Sequence, residues 1–197
     1  MDLNPIYLQG QHISLEPLNE SHLDDIRAAA ADGELWKLFF TSVPRPDQVS
    51  QWLATALEMQ QQQRALPFAV RDNLSGKIIG STRYCNIEHV HQRVEIGYTW
   101  YARSAQRSGV NTECKQLLLR HAFEVWQCIA VEFRTDWFNR RSQAAIERLG
   151  AKRDGVLRNH MILPDGRIRD TVVYSILRNE WPGVSQNLQY MRQQYGE

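Results

Sequence analysis

Gln106, Arg107, Ser108 and Gly109 stand between an apolar, aromatic run ending at Tyr101 and a long amphipathic stretch beginning at Val110. The segment reads as a strand, a short polar turn and the start of a helix, and its residue types suit capture of an anion. The first amides of a helix have no carbonyl one turn earlier to bond, and the helix dipole places partial positive charge there. Arg103 and Arg107 add fixed positive charge on either side of the glycine-ended turn. A phosphate-bearing ligand is the chemistry first expected. Many strand-to-helix turns carry a glycine and an arginine for structural reasons alone, so the turn by itself leaves both readings open.

The elements that must position this turn can be traced along the chain. Ile13 to Glu16 alternates as a strand ending at Pro17, and Ser21-His-Leu-Asp24 opens a helix through about Ala31 with a capping-box pattern. An irregular aromatic stretch follows, with Trp36, Phe39 and Phe40. Pro46-Asp47 starts a second helix whose Val49, Trp52, Leu53, Ala56 and Leu57 share one face. Two strands around Pro67–Asp72 and Lys77–Tyr84 are joined by the Asn73–Gly76 turn, and Arg93–Tyr101 is the next strand. The third helix is predicted over Val110–Trp126 with Leu118, Ala122, Val125 and Trp126 inward. Val131–Thr135 is a strand, and Asn139–Leu149 a helix stopped by Gly150. Strands near Lys152–Leu163 and Ile168–Leu177 are joined by Pro164-Asp165-Gly166, and the tail after Gly183 forms a short helix. The resulting order, β α α β β β α β α β β, predicts an α+β fold. Its sheet is mixed and mostly antiparallel, with one central β-α-β unit and helices on its faces.

Composition bounds the function. The 197 residues suit one domain with a full core, and 43% apolar with 23% charged residues is ordinary for a globular chain. A formal net charge of +1 and the lack of a basic stripe with interleaved aromatics argue against a nucleic-acid partner. Cys85, Cys114 and Cys128 are odd in number and not in ligand spacing, which argues against a disulfide framework and a metal site. No apolar run has the length of a membrane span and no basic-then-apolar leader opens the chain, so no membrane partner and a cytoplasmic location are expected.

This order of elements, taken with the motifs, resembles the GNAT superfamily of acyl-CoA-dependent N-acetyltransferases. The superfamily's pyrophosphate signature is Gln/Arg-x-x-Gly-x-Gly/Ala, and Gln106-Arg-Ser-Gly109-Val-Asn111 matches it at the first two anchors and departs at Asn111. Asparagine tolerates unusual backbone angles, which suits the turn. Asn139-Arg-Arg-Ser142 to Leu149-Gly150 is similar to the family's helix after its fifth strand. The opening Leu8 to Leu23 and the later Asp154-Gly-Val-Leu-Arg158 resemble the RimJ/RimL-like branch, which modifies protein N-terminal amines and related small amines. The resemblance covers about residues 8–178, the core of a single acyltransferase domain 1–197 with a C-terminal tail from 179.

The resemblance implies a mechanism in which a neutral amine attacks the thioester of acetyl-CoA directly, with no metal. By that resemblance, backbone from Thr99 through Trp100 to Tyr101 holds the pantetheine arm. Gln106, Arg107, Ser108, Gly109, Val110, Asn111 and Thr112 hold the pyrophosphate; Asn139, alternatively a simple helix cap, bonds the pantetheine region, and Ser142 beside it in the cofactor site positions a water or assists the thiolate. Glu95, 11 residues before Gln106, is the candidate base; its structural alternative is pairing with Arg83 or Arg134. Relatives place a tyrosine four residues before the terminal glycine of the later helix as the acid for the thiolate, but here that position is Ile146. Ser142 as a second catalytic residue, a water, or Tyr174 are the substitutes. Trp36, Phe40, Tyr84 and Trp137 are candidate acceptor contacts, each alternatively a core aromatic. His160 is a relay or a structural histidine. No base is evident beside Cys85, so an acyl-cysteine route is disfavoured.

The acceptor is then a primary amine, on a peptide or protein N-terminus or a small aminoacyl-like molecule, and a homodimer is compatible with the sequence. Two alternatives remain. One is a transferase for longer acyl-CoA donors. The other is a catalytically inactive CoA-binding regulatory domain, motivated by Ile146 and Asn111.

Overall fold

The computed structural model describes residues 1–194; the end of the C-terminal tail, 195–197, lies outside them. Eight strands and five α-helices occur in the order β1 (Leu8–Gln9), β2 (Ile13–Pro17), α1 (Leu23–Ala31), α2 (Val49–Gln61), β3 (Ala65–Asp72), β4 (Ile78–Glu88), β5 (Arg93–Tyr101), α3 (Val110–Arg120), β6 (Ala130–Asp136), α4 (Arg140–Arg148), β7 (Lys152–Ile162), β8 (Ile168–Leu177) and α5 (Trp181–Gln194). The strands form one sheet in the order β1-β2-β3-β4-β5-β6-β8-β7. Every neighbouring pair is antiparallel except β5 and β6, which run parallel and are joined by the α3 crossover. This is the expected α+β architecture, with the added edge strand β1 and a full helix at the C-terminus.

Alternation along the strands splits the apolar residues between two faces. Leu66, Phe68 and Val70 of β3 join Tyr84, Ile96, Leu118, Phe133, Tyr174 and Leu188 in the larger cluster, under α3 and α5. Ala69, facing the other way, packs with Ile26, Val49, Leu53, Ala56 and Trp100 beneath α1 and α2. Helices therefore cover both faces. Among the described residues no helix is long and apolar enough to cross a membrane.

Three local expectations are corrected or sharpened. The capping box before α1 is built by Asn19, whose side chain accepts from the Ser21 amide while the His22 ring accepts from the Asn19 amide, rather than by Ser21. The third helix does not stay α-helical to Trp126: residues His121–Val125 form a π-turn, closed by a Trp126 N to His121 O bond of 3.0 Å. The wider turn rotates the later side chains. Val125, expected inward, is 64% exposed, and Phe123 takes the buried place. Gly150 ends α4 at φ +101°, a backbone conformation that explains why a glycine stands there.

Candidate active site

The parallel pairing of β5 with β6 lasts only from Arg93 to Glu95, opposite Ala130 to Glu132. Beyond Glu95 the two strands part. Opposite, on β4, the register jumps so that Tyr98 and Thr99 face the single residue Thr82, and Tyr98 adopts φ +52°. This is a β-bulge, which re-aims a strand and interrupts pairing. The stretch from Ile96 to Tyr101 thus offers backbone amides and carbonyls toward a gap in mid-sheet, an edge that an extended, amide-bearing ligand can extend.

The gap opens into a cleft of about 760 Å³. One wall is Ile96 to Tyr101, and the other is Phe133 to Asp136 with Asn139, Ser142 and Ile146. At one end stand Gln106, Arg107, Ser108 and Asn111; at the other, Leu35, Leu38, Phe40 and Arg169.

The turn at the first end is internally braced. Gln106 Nε2 donates to Tyr101 O at 3.0 Å, Ser108 Oγ donates to Ala105 O at 2.7 Å, and the Tyr101 hydroxyl donates to Asn111 Oδ1 at 3.2 Å. Arg107 stands at φ +61°, so the chain reverses sharply into α3. The first intrahelical bond is Glu113 N to Gly109 O at 3.0 Å; in the preceding turn Val110 N donates to Ser108 Oγ at 3.4 Å, and the other amides there are placed to meet an anion. Asn111 therefore braces the turn through Tyr101, where the family signature has a small residue. The side chains of Val110 and Thr112 do not line the cleft, and that of Thr112 is fully buried. Any contribution of Gly109, Val110 and Thr112 is by backbone.

Glu95 sits where the paired strands end. It is 7% exposed. Oε2 accepts from Asn86 Nδ2 at 2.6 Å and lies 3.4 Å from Arg134 Nε, while Oε1 lies over Gly97, where a Cβ would stand 2.9 Å from it. Burial raises the Glu95 pKa, against the Asn86 bond and the Arg134 charge. Arg83, the other expected partner, turns elsewhere: its guanidinium stacks 4.2 Å from the Tyr98 ring and 5.4 Å from Trp52. Glu132 behaves differently. Burial alone would raise its pKa, but bonds from Arg93 and Arg134 hold it below the usual carboxylate range. Two carboxylates on adjacent strands are thus driven apart in basicity, an arrangement common where one must accept a proton.

On the far wall Asn139 caps α4, its Oδ1 accepting from Ser142 N at 3.1 Å, and Gln143 Nε2 ties that helix start to Trp137 O at 2.7 Å. Both Asn139 and Ser142 reach the cleft. Ile146 lines the same wall and has no donor. Tyr174 is not a substitute acid: it is fully buried, its hydroxyl donates to Glu147 Oε1 at 2.9 Å, and burial together with that carboxylate pushes its pKa up to about 12. Cys85 is 2% exposed, and burial with nearby Glu95 raises its thiol far above the ordinary value, which closes the acyl-cysteine route. His160 bonds Thr171 Oγ1 at 3.0 Å and stands outside the cleft.

Of the four aromatic candidates for the acceptor, only Phe40 lines the cleft. Tyr84 is fully buried between Phe68 and Trp126, with its hydroxyl on Leu118 O, because its β4 position faces the larger core. Trp36 is not part of the cleft lining, and Trp137 is occupied by the guanidinium groups of Arg140 and Arg153 at 4.5 and 5.3 Å. The segment bearing Phe40 is strapped to the β7–β8 hairpin by Arg167, which donates to Phe39 O at 3.2 Å and to the buried Asp136 at 2.7 Å.

Sequence reading did not single out Asn86, Arg169 or Lys115. Lys115 had a signal: it falls four residues after Asn111 and three before Leu118, a lysine in the apolar stripe of α3. Among the described residues no cluster of His, Cys, Asp and Glu is arranged to hold a metal ion.

Comparison with known proteins identifies the family and agrees with the fold. Residues 12–152 match the family described as Acetyltransferase (GNAT) domain. A Bacillus subtilis (strain 168) protein named "Putative ribosomal N-acetyltransferase YdaF" is 32% identical over 108 residues, so the match spans 55% of this chain and 58% of that protein's length. A GCN5-related N-acetyltransferase from Brucella melitensis superposes with a TM-score of 0.86 at 30% identity, covering 95% of this chain and 85% of the other. A T. thermophilus protein whose crystal structure is named "putative acetyltransferase" gives 0.84 at 36% identity, covering 97% and 99%. The chain belongs to the GNAT acetyltransferase family.

Proposed function

We propose that the protein transfers the acetyl group of acetyl-CoA to the primary amine of a protein or peptide N-terminus, as one acyltransferase domain working in the cytoplasm. What supports this is the opening of the sheet directly after Glu95: the cleft wall begins at the next residue, Ile96, and the buried Glu95 carboxylate, of raised basicity, stands behind that wall with Oε1 against Gly97 rather than in the lining itself, while the helix-start turn closes the other end. In this reading the pyrophosphate rests on the amides from Arg107 to Thr112, and the pantetheine arm lies along Thr99 to Tyr101 as an added strand. Asn139 and Ser142 face it from α4. A primary amine is protonated at neutral pH and must lose a proton to attack; Glu95 takes it directly or through a water. The donors of the opened β5 backbone stabilise the oxygen of the thioester as it gains charge.

The acceptor enters past Phe40 and the strapped hairpin. The name of the Bacillus relative points to ribosomal proteins, which makes an exposed protein N-terminus the favoured acceptor over a small amine. The test is release of free thiol from acetyl-CoA on incubation with peptides bearing free or blocked N-termini and with small amines. Release confined to free N-terminal peptides supports the reading. Release with small amines alone overturns the acceptor, and no release with any amine overturns the activity.

A further inference from the structure

Lys115 is a buried cation on the cleft wall. It lines the cleft, yet the residue is 5% exposed. An ammonium carries three N–H donors, and Lys115 Nζ uses one of them, to Thr99 Oγ1 at 2.6 Å. The Thr99 hydroxyl in turn meets Thr82 Oγ1 at 2.7 Å, so the ammonium is held against the β5 wall by a fixed chain of two hydroxyls. No carboxylate forms an ion pair with it among the described residues, and the titratable groups that act on it electrostatically are the thiols of Cys114 and Cys85. The neighbouring acid, Glu113, faces away to the Gln11 and His12 amides and Arg192. Burying a charge without a partner is costly, so a cation kept in this place points to a ligand atom that meets it.

The other cations on the cleft are differently engaged. Arg134 faces Glu95 and Glu132, Arg169 lies toward Asp136, and Arg107, Arg141 and Arg148 are exposed. We infer that Lys115 meets the sulfur end of the acyl-CoA donor, its Thr99-anchored ammonium stabilising the thiolate that departs during transfer and returning a proton to it. The inference rests on the arm lying along Thr99 to Tyr101. In the step, the amine nitrogen bonds the carbonyl carbon, the carbon–sulfur bond breaks, and its electron pair stays on sulfur. The surplus proton of the amine leaves to Glu95 or water. Lys115 protonates the thiolate, CoA leaves as the thiol, and solvent restores the ammonium. This supplies the donor that Ile146 lacks. Burial lowers the Lys115 pKa to about 8, close to an ordinary thiol at about 8.5, so the proton moves between near-equals.

The experiment compares binding of CoA and desulfo-CoA, which lacks only the sulfur, by calorimetry in mildly alkaline buffer, alongside kcat for acetyl transfer. The native protein is expected to prefer CoA by about tenfold and Lys115→Met to lose that preference, with kcat down about tenfold to a hundredfold. Thr99→Val keeps the backbone and removes the anchor, and is expected to lose about threefold in the same preference. It carries the test if Lys115→Met does not fold. A folded Lys115→Met that keeps the native preference and a kcat within about twofold overturns the inference, as does an unchanged preference in Thr99→Val. Should the native protein bind neither molecule, the cofactor placement itself fails; should it bind both alike, only the role of Lys115 fails.

Discussion

The two halves of β5 are built on opposite terms. From Arg93 to Glu95 the strand has a neighbour on each side, with a bulge on β4 between Cys85 and Glu88, and its charges form a linked set in which Arg93 and Arg134 share Glu132 and Arg134 approaches Glu95. From Ile96 to Tyr101 one edge is open, the pairing with β4 is bulged, and a buried lysine holds a single hydroxyl partner. A sheet interior normally satisfies its backbone and its ions. The first half pairs its charges and positions the second, whose open edge is the proposed binding surface. Glu95 stands at the junction, held by Asn86 and Arg134 beside the paired half and with Oε1 against Gly97 of the open one.

Substitutions that act in one half and not the other sharpen this contrast. Glu95→Gln should have the largest effect, lowering kcat about 10²–10⁴-fold in a thiol-release assay. Its stability should hold or rise, because burial already disfavours the ionised carboxylate. A group with a raised folded-state pKa contributes stability below its unfolded value and loses it as pH rises through the folded one, so the neutral amide removes a cost at neutral pH. For the same reason the acid limb of kcat/KM should lie above the ordinary carboxylate range, and be absent in Glu95→Gln. An unchanged limb in the variant would assign it to another group.

Arg107→Ala, at the far end of the open half, should raise KM for acetyl-CoA about tenfold with kcat little changed, since it removes one charge-assisted contact to phosphate. Tyr84→Phe is the control in the satisfied core. It should lower stability by about 1 kcal/mol, read by denaturant unfolding, through loss of the bond to Leu118 O, and leave both KM values unchanged. A raised acceptor KM in Tyr84→Phe would restore that residue to the acceptor site.

The strand and helix boundaries around the site were legible because period and punctuation agree. Arg93–Tyr101 alternates, Gly109 precedes an amphipathic helix, and Gly150 stops α4 where its positive φ is needed. The aromatic candidates were not legible in the same way. Tyr84, Trp36, Phe40 and Trp137 are alike as types, and only the side on which each projects separates Phe40 from the rest. The π-turn at His121–Val125 was equally hidden, since one widened turn changes the face of Phe123 and Val125 without any change of composition.

By itself the chain determined the order of its elements, the glycine-ended turn before α3 and the kinship with the GNAT family, because these depend on local periodicity and residues close in sequence. Tertiary structure decided where β5 and β6 separate, which carboxylate is driven toward basicity and which cation faces the cleft. Those are questions of burial and of partners brought together from distant segments: Asn86 with Glu95, Arg134 with Glu132, Lys115 with Thr99. Desolvation and charge pairing depend on what surrounds a group in space, so no spacing along the chain encodes them.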